Sequence, residues 1–344
     1  MRYFAALAAL TAILVVACGS SSDSSPGTSS PRRSPTVGPS RAGSSAASAA
    51  TGSLCGFRDT APGTYEHVIF FLQENKSAKQ IIGSKDYPYL NDTLIAQCGQ
   101  ATNYHSTSHP SLPNYLALTS GTTTGKAKSS NCQPKDCPQS QDNIFAQVER
   151  SSRQWRQYAE AAAGNCDTAK TDAYEPEHAV PVYYTSIATR CKDWDVPLGT
   201  PDAGALRTDL DNGFLPAFAF ISPDGDHEKG RVGDQWLNDW ISRIAATKDY
   251  QSGNTAIFVT WDEGSGSDEG NGEACADSEH ADTSKYPSCW VPLVVISPST
   301  KPGTTSSTYL NHYSLLATTQ DLLGLSPRLG ESANAPSLRQ EFGL

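Results

Sequence analysis

Residues 67–75 read HVIFFLQEN: an unbroken apolar run from Val68 to Leu72 that stops at a carboxylate and an amide, Glu74-Asn75. A run without polar alternation predicts a strand over His67–Gln73 that is covered on both faces. Three further runs have the same character: Ala217–Ile221 (AFAFI), Thr255–Trp261 (TAIFVTW) and Trp290–Ile296 (WVPLVVI). Helical stripes lie between them. Asp234–Ala245 lines up Trp236, Leu237, Trp240, Ile241 and Ile244, and His312–Leu323 lines up Leu315, Leu316 and Leu322. Asp142–Arg150 and Tyr89–Cys98 carry shorter helical stripes. Strands alternating with amphipathic helices predict an α/β fold, an α/β/α sandwich around a mainly parallel central sheet.

Three of these strands run directly into polar residues. HVIFFLQ meets Glu74-Asn75, AFAFISP meets Asp224-Gly225-Asp226-His227, and TAIFVTW meets Asp262-Glu263-Gly264. Open α/β sheets build their sites outside the carboxyl ends of strands, so the three clusters are expected at one edge. Oxygen donors of this kind suit a hard divalent cation. Each cluster taken singly reads equally well as a helix cap or a solvated loop.

Residues 105–121, HSTSHPSLPNYLALTSG, lead from two histidines into a short apolar helix. Pro113 suits a first helical turn, where its missing N–H costs nothing. Ser111 then stands just ahead of a helix N-terminus, where free amides and the macrodipole favour an anion. Two readings stay open for it: a helix cap, or a nucleophile whose hydroxyl a bound cation makes more acidic. His105 and His109 flank this segment, and His109 is the candidate phosphate contact.

The 344 residues allow one large domain. Residues 1–54 hold four arginines and a single acid, Asp23, so 22 basic and 35 acidic side chains remain for residues 55–344. A domain this acidic lacks the basic face that duplex DNA requires, which excludes nucleic acid as a partner. Arg2 and the apolar run Phe4–Ala17 have the form of a secretory signal, too short to span a bilayer. The run ends Val15-Val16-Ala17-Cys18, which resembles a bacterial lipobox with Cys18 as the acylated mature N-terminus. Of residues 19–54, 30 of 36 are Ser, Thr, Gly, Ala or Pro, too little apolar surface to offset the ordering entropy. The predicted organisation is a signal over 1–17, a lipidated cysteine and disordered tether over 18–54, and a catalytic domain over 55–344. The expected product is an exported cell-surface lipoprotein that meets the membrane only through its anchor.

Eight cysteines remain after Cys18, an even number in an exported chain, which predicts four disulfides. Pairing sequence neighbours gives Cys132–Cys137, Cys166–Cys191 and Cys275–Cys289, with Cys55–Cys98 by exclusion. No C-x2-C pair exists, which argues against a zinc-thiolate site. G-x-S-x-G is absent, which argues against a Ser-His-Asp esterase.

The segments HVIFFLQENKS, HPSLPNYLALTSG, VTWDEGSG, VPLVVISP and HYSLLATTQDLLGL, in this order, resemble the bacterial phosphoesterase family. That family joins secreted acid phosphatases with phospholipases C inside the alkaline phosphatase superfamily. The resemblance implies an alkaline-phosphatase-like fold, with Glu74, Asn75, Asp262 and Glu263 as ligands of one divalent cation. Ser111, in an [S/T]-x-P-N context, falls where relatives carry the nucleophile. His227 and His178 match phosphate-pocket histidines, and Asn131 falls near a phosphate-contacting Asn. ENKSAKQIIG and DEGSGSDEG lack the aromatic-Asp-His elements of the phospholipase C branch. The chain is therefore similar to the acid phosphatase and phosphatidylinositol 3-phosphatase branch. The implied substrate is a phosphorylated small molecule or a phosphoinositide. The rival readings are a phospholipase C-type diesterase and a non-catalytic surface binding lipoprotein.

Overall fold

The apolar runs become the centre of a sheet. In this computed structural model, which describes residues 52–265, 275 and 282–344, ten strands follow in chain order. They are β1 (His67–Gln73), β2 (Gly99–Ala101), β3 (Tyr104–His105), β4 (Trp155–Ala159), β5 (Asp195–Pro197), β6 (Phe218–Ser222), β7 (Thr255–Trp261), β8 (Leu293–Ile296), β9 (Thr304–Ser306) and β10 (Leu310–Asn311). Eight form one sheet in the order β5-β4-β6-β1-β7-β8-β2-β9. Only β8 opposes its neighbours β7 and β2; the other pairings are parallel. β3 and β10 make a separate parallel pair. β1 and β7 occupy the ranges their apolar runs predict, and β8 is shorter than predicted because Pro292, just ahead of it, has no N–H for a ladder.

Three helices carry the main packing: α1 (Ser111–Ser120), α2 (Gly230–Ala245) and α3 (His312–Leu323). Consecutive strand residues point to opposite faces, so Phe70 and Phe71 report on the two sides of the sheet. Trp236 of α2 meets Phe71 edge-on at 5.7 Å. Tyr115 of α1 meets Phe220 at 5.6 Å, and Phe220 is level with Phe70 across the β1–β6 register. The two helices therefore cover opposite faces, which is the layered α/β arrangement the sequence predicts. α1 ends at Gly121, whose φ of 66° and 2.3 Å clearance from a built Cβ to Leu329 O leave room for glycine alone.

The register of the two central strands sets the site. Gln73 of β1 lies opposite Trp261 of β7, so the next residues, Glu74 and Asp262, leave the sheet side by side at its carboxyl edge. The disulfides are Cys55–Cys98, Cys132–Cys137, Cys166–Cys191 and Cys275–Cys289. Cys275–Cys289 is tied to the segment ahead of α1: Cys275 N donates to Thr107 O, and Ser106 N donates to Cys289 O. The predicted signal, Cys18 and the tether as far as residue 51 lie outside the described residues.

Candidate active site

Glu74 and Asp262 are both buried, and the chain turns sharply to bring their neighbours onto them. Asn75 has a φ of 55°, a left-handed conformation that Asn tolerates better than most residues. The turn aims Asn75 N at Asp262 Oδ1 at 3.0 Å and its Nδ2 at Glu74 Oε2 at 3.2 Å. Glu263 N donates to the same Asp262 Oδ1 at 2.6 Å. Asp262 Oδ2 is buried and has no hydrogen-bond partner among the described residues. After Glu263 the chain passes so close to Ser288 O that a Cβ on Gly264 would lie 2.5 Å from it, which accounts for the glycine in D-E-G.

A strap over residues 105–110 carries α1 to these carboxylates. Asn114 organises it: its Oδ1 accepts from Thr107 N, Thr107 Oγ1 and Ser108 N, and its Nδ2 donates to Ser108 O and reaches Glu263 Oε2 at 3.4 Å. His109 Nδ1 lies 2.8 Å from Glu263 Oε2. Ser111 does not cap the helix. Pro110 holds the cap position, Ser111 is the first helical residue, and its Oγ donates to Glu74 Oε2 at 3.2 Å. Asn131 Oδ1 accepts from Leu112 N at 2.9 Å. At the start of α3, Asn311 caps the helix, which leaves the buried His312 to place Nε2 2.6 Å from Asp262 O.

His178 and His227 part company. His178 Nε2 lies 3.3 Å from Glu74 Oε1, and its ring stacks on Tyr115. His227 Nδ1 instead lies 3.0 Å from Glu160 Oε2 and 3.1 Å from Asp224 Oδ1, and its ring stacks on Trp236. A cavity of about 330 Å³ opens over Ser111, with Asn75, Asn131, His178 and Glu263 in its wall. The same wall carries Asp172, Glu175 and Glu228, which the sequence reading had not singled out, while His227 lies off it. Tyr115 and Asn114 were missed too. Their spacing of four and three residues from Ser111 on one helix is the signal that would have found them.

Burial sets the electrostatics. It pushes the carboxyls of Glu74 and Asp262 well above the ordinary range, with the charge of Glu263 adding to both. Burial pulls His109 down, but the hydrogen bond and charge of Glu263 outweigh it and the imidazole is raised overall. Burial takes His312 down to about 4, so it is neutral at pH 7. Glu74, Asp262 and Glu263 are oxygen donors of the type that suits a hard divalent cation, whose charge would offset the mutual repulsion that raises Glu74 and Asp262.

The profile of the Phosphoesterase family matches residues 94–326, a span that includes Ser111, Asp262 and Glu263 and begins after Glu74-Asn75. A phosphatidylinositol-3-phosphatase of Mycobacterium tuberculosis is 28% identical over 291 residues, covering 81% of this chain and 84% of that protein. An acid phosphatase of Aspergillus fumigatus is 26% identical over 253 residues, 69% of this chain but 51% of the fungal protein. Among solved structures, a Vibrio parahaemolyticus protein in the alkaline phosphatase superfamily superposes with a TM-score of 0.53. It has 14% identity and covers 83% of this chain and 73% of that one, a likeness of fold.

Proposed function

Because the chain belongs to the Phosphoesterase family and is a phosphoric ester hydrolase, we propose that it is a cation-dependent phosphomonoesterase using Ser111 as its nucleophile. One observation carries this reading. The Ser111 hydroxyl stands at the first position of α1, beside the cavity, and donates to a buried carboxylate 3.2 Å away.

In this reading Ser111 Oγ forms a bond to phosphorus while the bond to the leaving oxygen breaks, and the serine proton passes toward Glu74 Oε2. His178 protonates the leaving oxygen. Water then gives a proton to His178 and attacks the phosphoserine, the Ser111 Oγ–phosphorus bond breaks, Glu74 returns the proton to Ser111 and inorganic phosphate departs. Leu112 N–H occupies Asn131 Oδ1, so Asn131 Nδ2 is the amide donor left for a phosphoryl oxygen. His109 acts through Glu263, which it holds in place. His227 takes no part at phosphorus, because Glu160 and Asp224 hold its ring away from the cavity wall. A divalent cation held by Glu74, Asn75, Asp262 and Glu263 would supply charge neutralisation and a more acidic serine hydroxyl.

The similarity to a phosphatidylinositol-3-phosphatase over most of both chains supports a phosphorylated small molecule or a phosphoinositide headgroup as substrate. A phosphate-release panel tests this reading. Monoesters and phosphoinositides should release inorganic phosphate, and exhaustive chelation should stop it. Phosphocholine released from lecithin would favour the diesterase reading, and no turnover on any ester would favour a binding lipoprotein. We also infer export and lipid anchoring at Cys18, from the lipobox-like Val15-Val16-Ala17-Cys18. Wild type should enter the detergent phase and Cys18→Ser the aqueous one; a wild-type protein that stays in water would refute the anchor.

A further inference from the structure

We propose that Tyr115 is a positioning residue of this site, setting the carboxylate plane of Glu74 so that one oxygen faces Ser111. The inference rests on the reading of Ser111 as nucleophile. Residues four apart on a helix share a face, so Ser111 and Tyr115 present hydroxyls to the same side of α1, one turn apart. Both reach one side chain. Ser111 Oγ donates to Glu74 Oε2 at 3.2 Å, and Tyr115 Oη donates to Oε1. A carboxylate is planar about its carbon, so a hydroxyl that fixes Oε1 also determines where Oε2 points.

The tyrosine ring is itself held from both sides. It stacks on His178 with centroids 5.4 Å apart and planes within 8°, and it lies 5.6 Å from Phe220 of the sheet. His178 Nε2 also approaches Oε1, at 3.3 Å. One side chain thus orients the base side of the nucleophile and supports the proton donor. Tyr115 is fully buried and is absent from the cavity wall, so it acts through Glu74 and His178 and not on substrate. Side chains that orient a functional carboxylate in this way change activity about 10–100-fold when removed.

The test is Tyr115→Phe in the full chain, which keeps the ring and its stack and removes only the hydroxyl. With p-nitrophenyl phosphate as probe, kcat should fall about 10–100-fold while KM changes by less than about twofold. A purely structural loss would lower the melting temperature and leave kcat per folded molecule unchanged. Ser111→Ala assayed alongside separates the two claims. Its full turnover would sink the nucleophile reading whatever Tyr115→Phe does. A Tyr115→Phe enzyme as fast as wild type, beside an inactive Ser111→Ala, would sink the positioning role alone. Should Tyr115→Phe not fold, 3-fluorotyrosine at the same position keeps ring and hydroxyl. Its fluorine resonance should move on Glu74→Gln, and an unmoved resonance would overturn the proposal.

Discussion

Ser111→Ala should cut turnover by about a thousandfold or more, roughly 4 kcal/mol of transition-state stabilisation, and leave the fold in place. Among the described residues the hydroxyl makes one hydrogen bond, to Glu74, and it caps nothing, because Pro110 occupies the cap position of α1. Its removal should therefore cost about 1 kcal/mol of stability or less. Turnover and melting temperature measured on the same preparation give the answer. A Ser111→Ala protein that melts a few degrees lower but works at the wild-type rate would leave the residue a structural part only.

Asp262→Asn should act in opposite directions on activity and on stability. Asparagine keeps the Oδ1 acceptor for Asn75 N and Glu263 N but brings no charge to the cation ligand set. Turnover and cation retention should both collapse, the former by about a hundredfold or more. Stability follows from the raised pKa. The folded-state value of Asp262 lies well above the unfolded one, through burial first and the charges of Glu74 and Glu263 next. In cation-free protein the folded state is thus favoured while the carboxyl is protonated. That advantage is lost as pH climbs from about 4 through the raised value. Asparagine cannot ionise and avoids the loss. Chelator-treated Asp262→Asn should therefore melt above chelator-treated wild type at pH 7, and level with it near pH 4. Melting curves at the two pH values check this, and a mutant less stable at both would show that the carboxylate is not strained without a cation.

The site was legible where chemistry and regular structure coincide. β1 and β7 are uninterrupted apolar runs, and their parallel register alone makes Glu74 and Asp262 neighbours. β4 was not anticipated, because WRQYA mixes an arginine and a glutamine into a strand. Its polar side chains are accounted for only in three dimensions: Gln157 Nε2 bonds Ser222 Oγ at 2.8 Å, and Arg156 lies 3.5 Å from Asp209. The contacts of His227 were not foreseen for the same reason. Glu160 immediately follows β4 and holds the His227 ring, so without β4 nothing indicated a partner that would draw the histidine away from phosphate. Asp224 Oδ1 accepts from His227 N in a tight turn, and the next residue, Glu228, reaches the cavity wall instead. His178 sits in a short turn, Pro176–His178, where no periodic pattern announces a side chain's direction. Its direction shows only in three dimensions, where Nε2 lies 3.3 Å from Glu74 Oε1, the ring stacks on Tyr115 and the side chain lines the cavity.

The central claim is a phosphate covalently carried by Ser111, and rapid acid quenching during turnover of a 32P-labelled phosphate monoester tests it most directly. Peptide mapping of the quenched protein should find one equivalent or less of acid-stable label, confined to the peptide holding Ser111 and absent from Ser111→Ala. Acid-stable label confined to a peptide that lacks Ser111, or steady turnover by wild type and Ser111→Ala alike with no labelled serine at any quench time, would contradict the account.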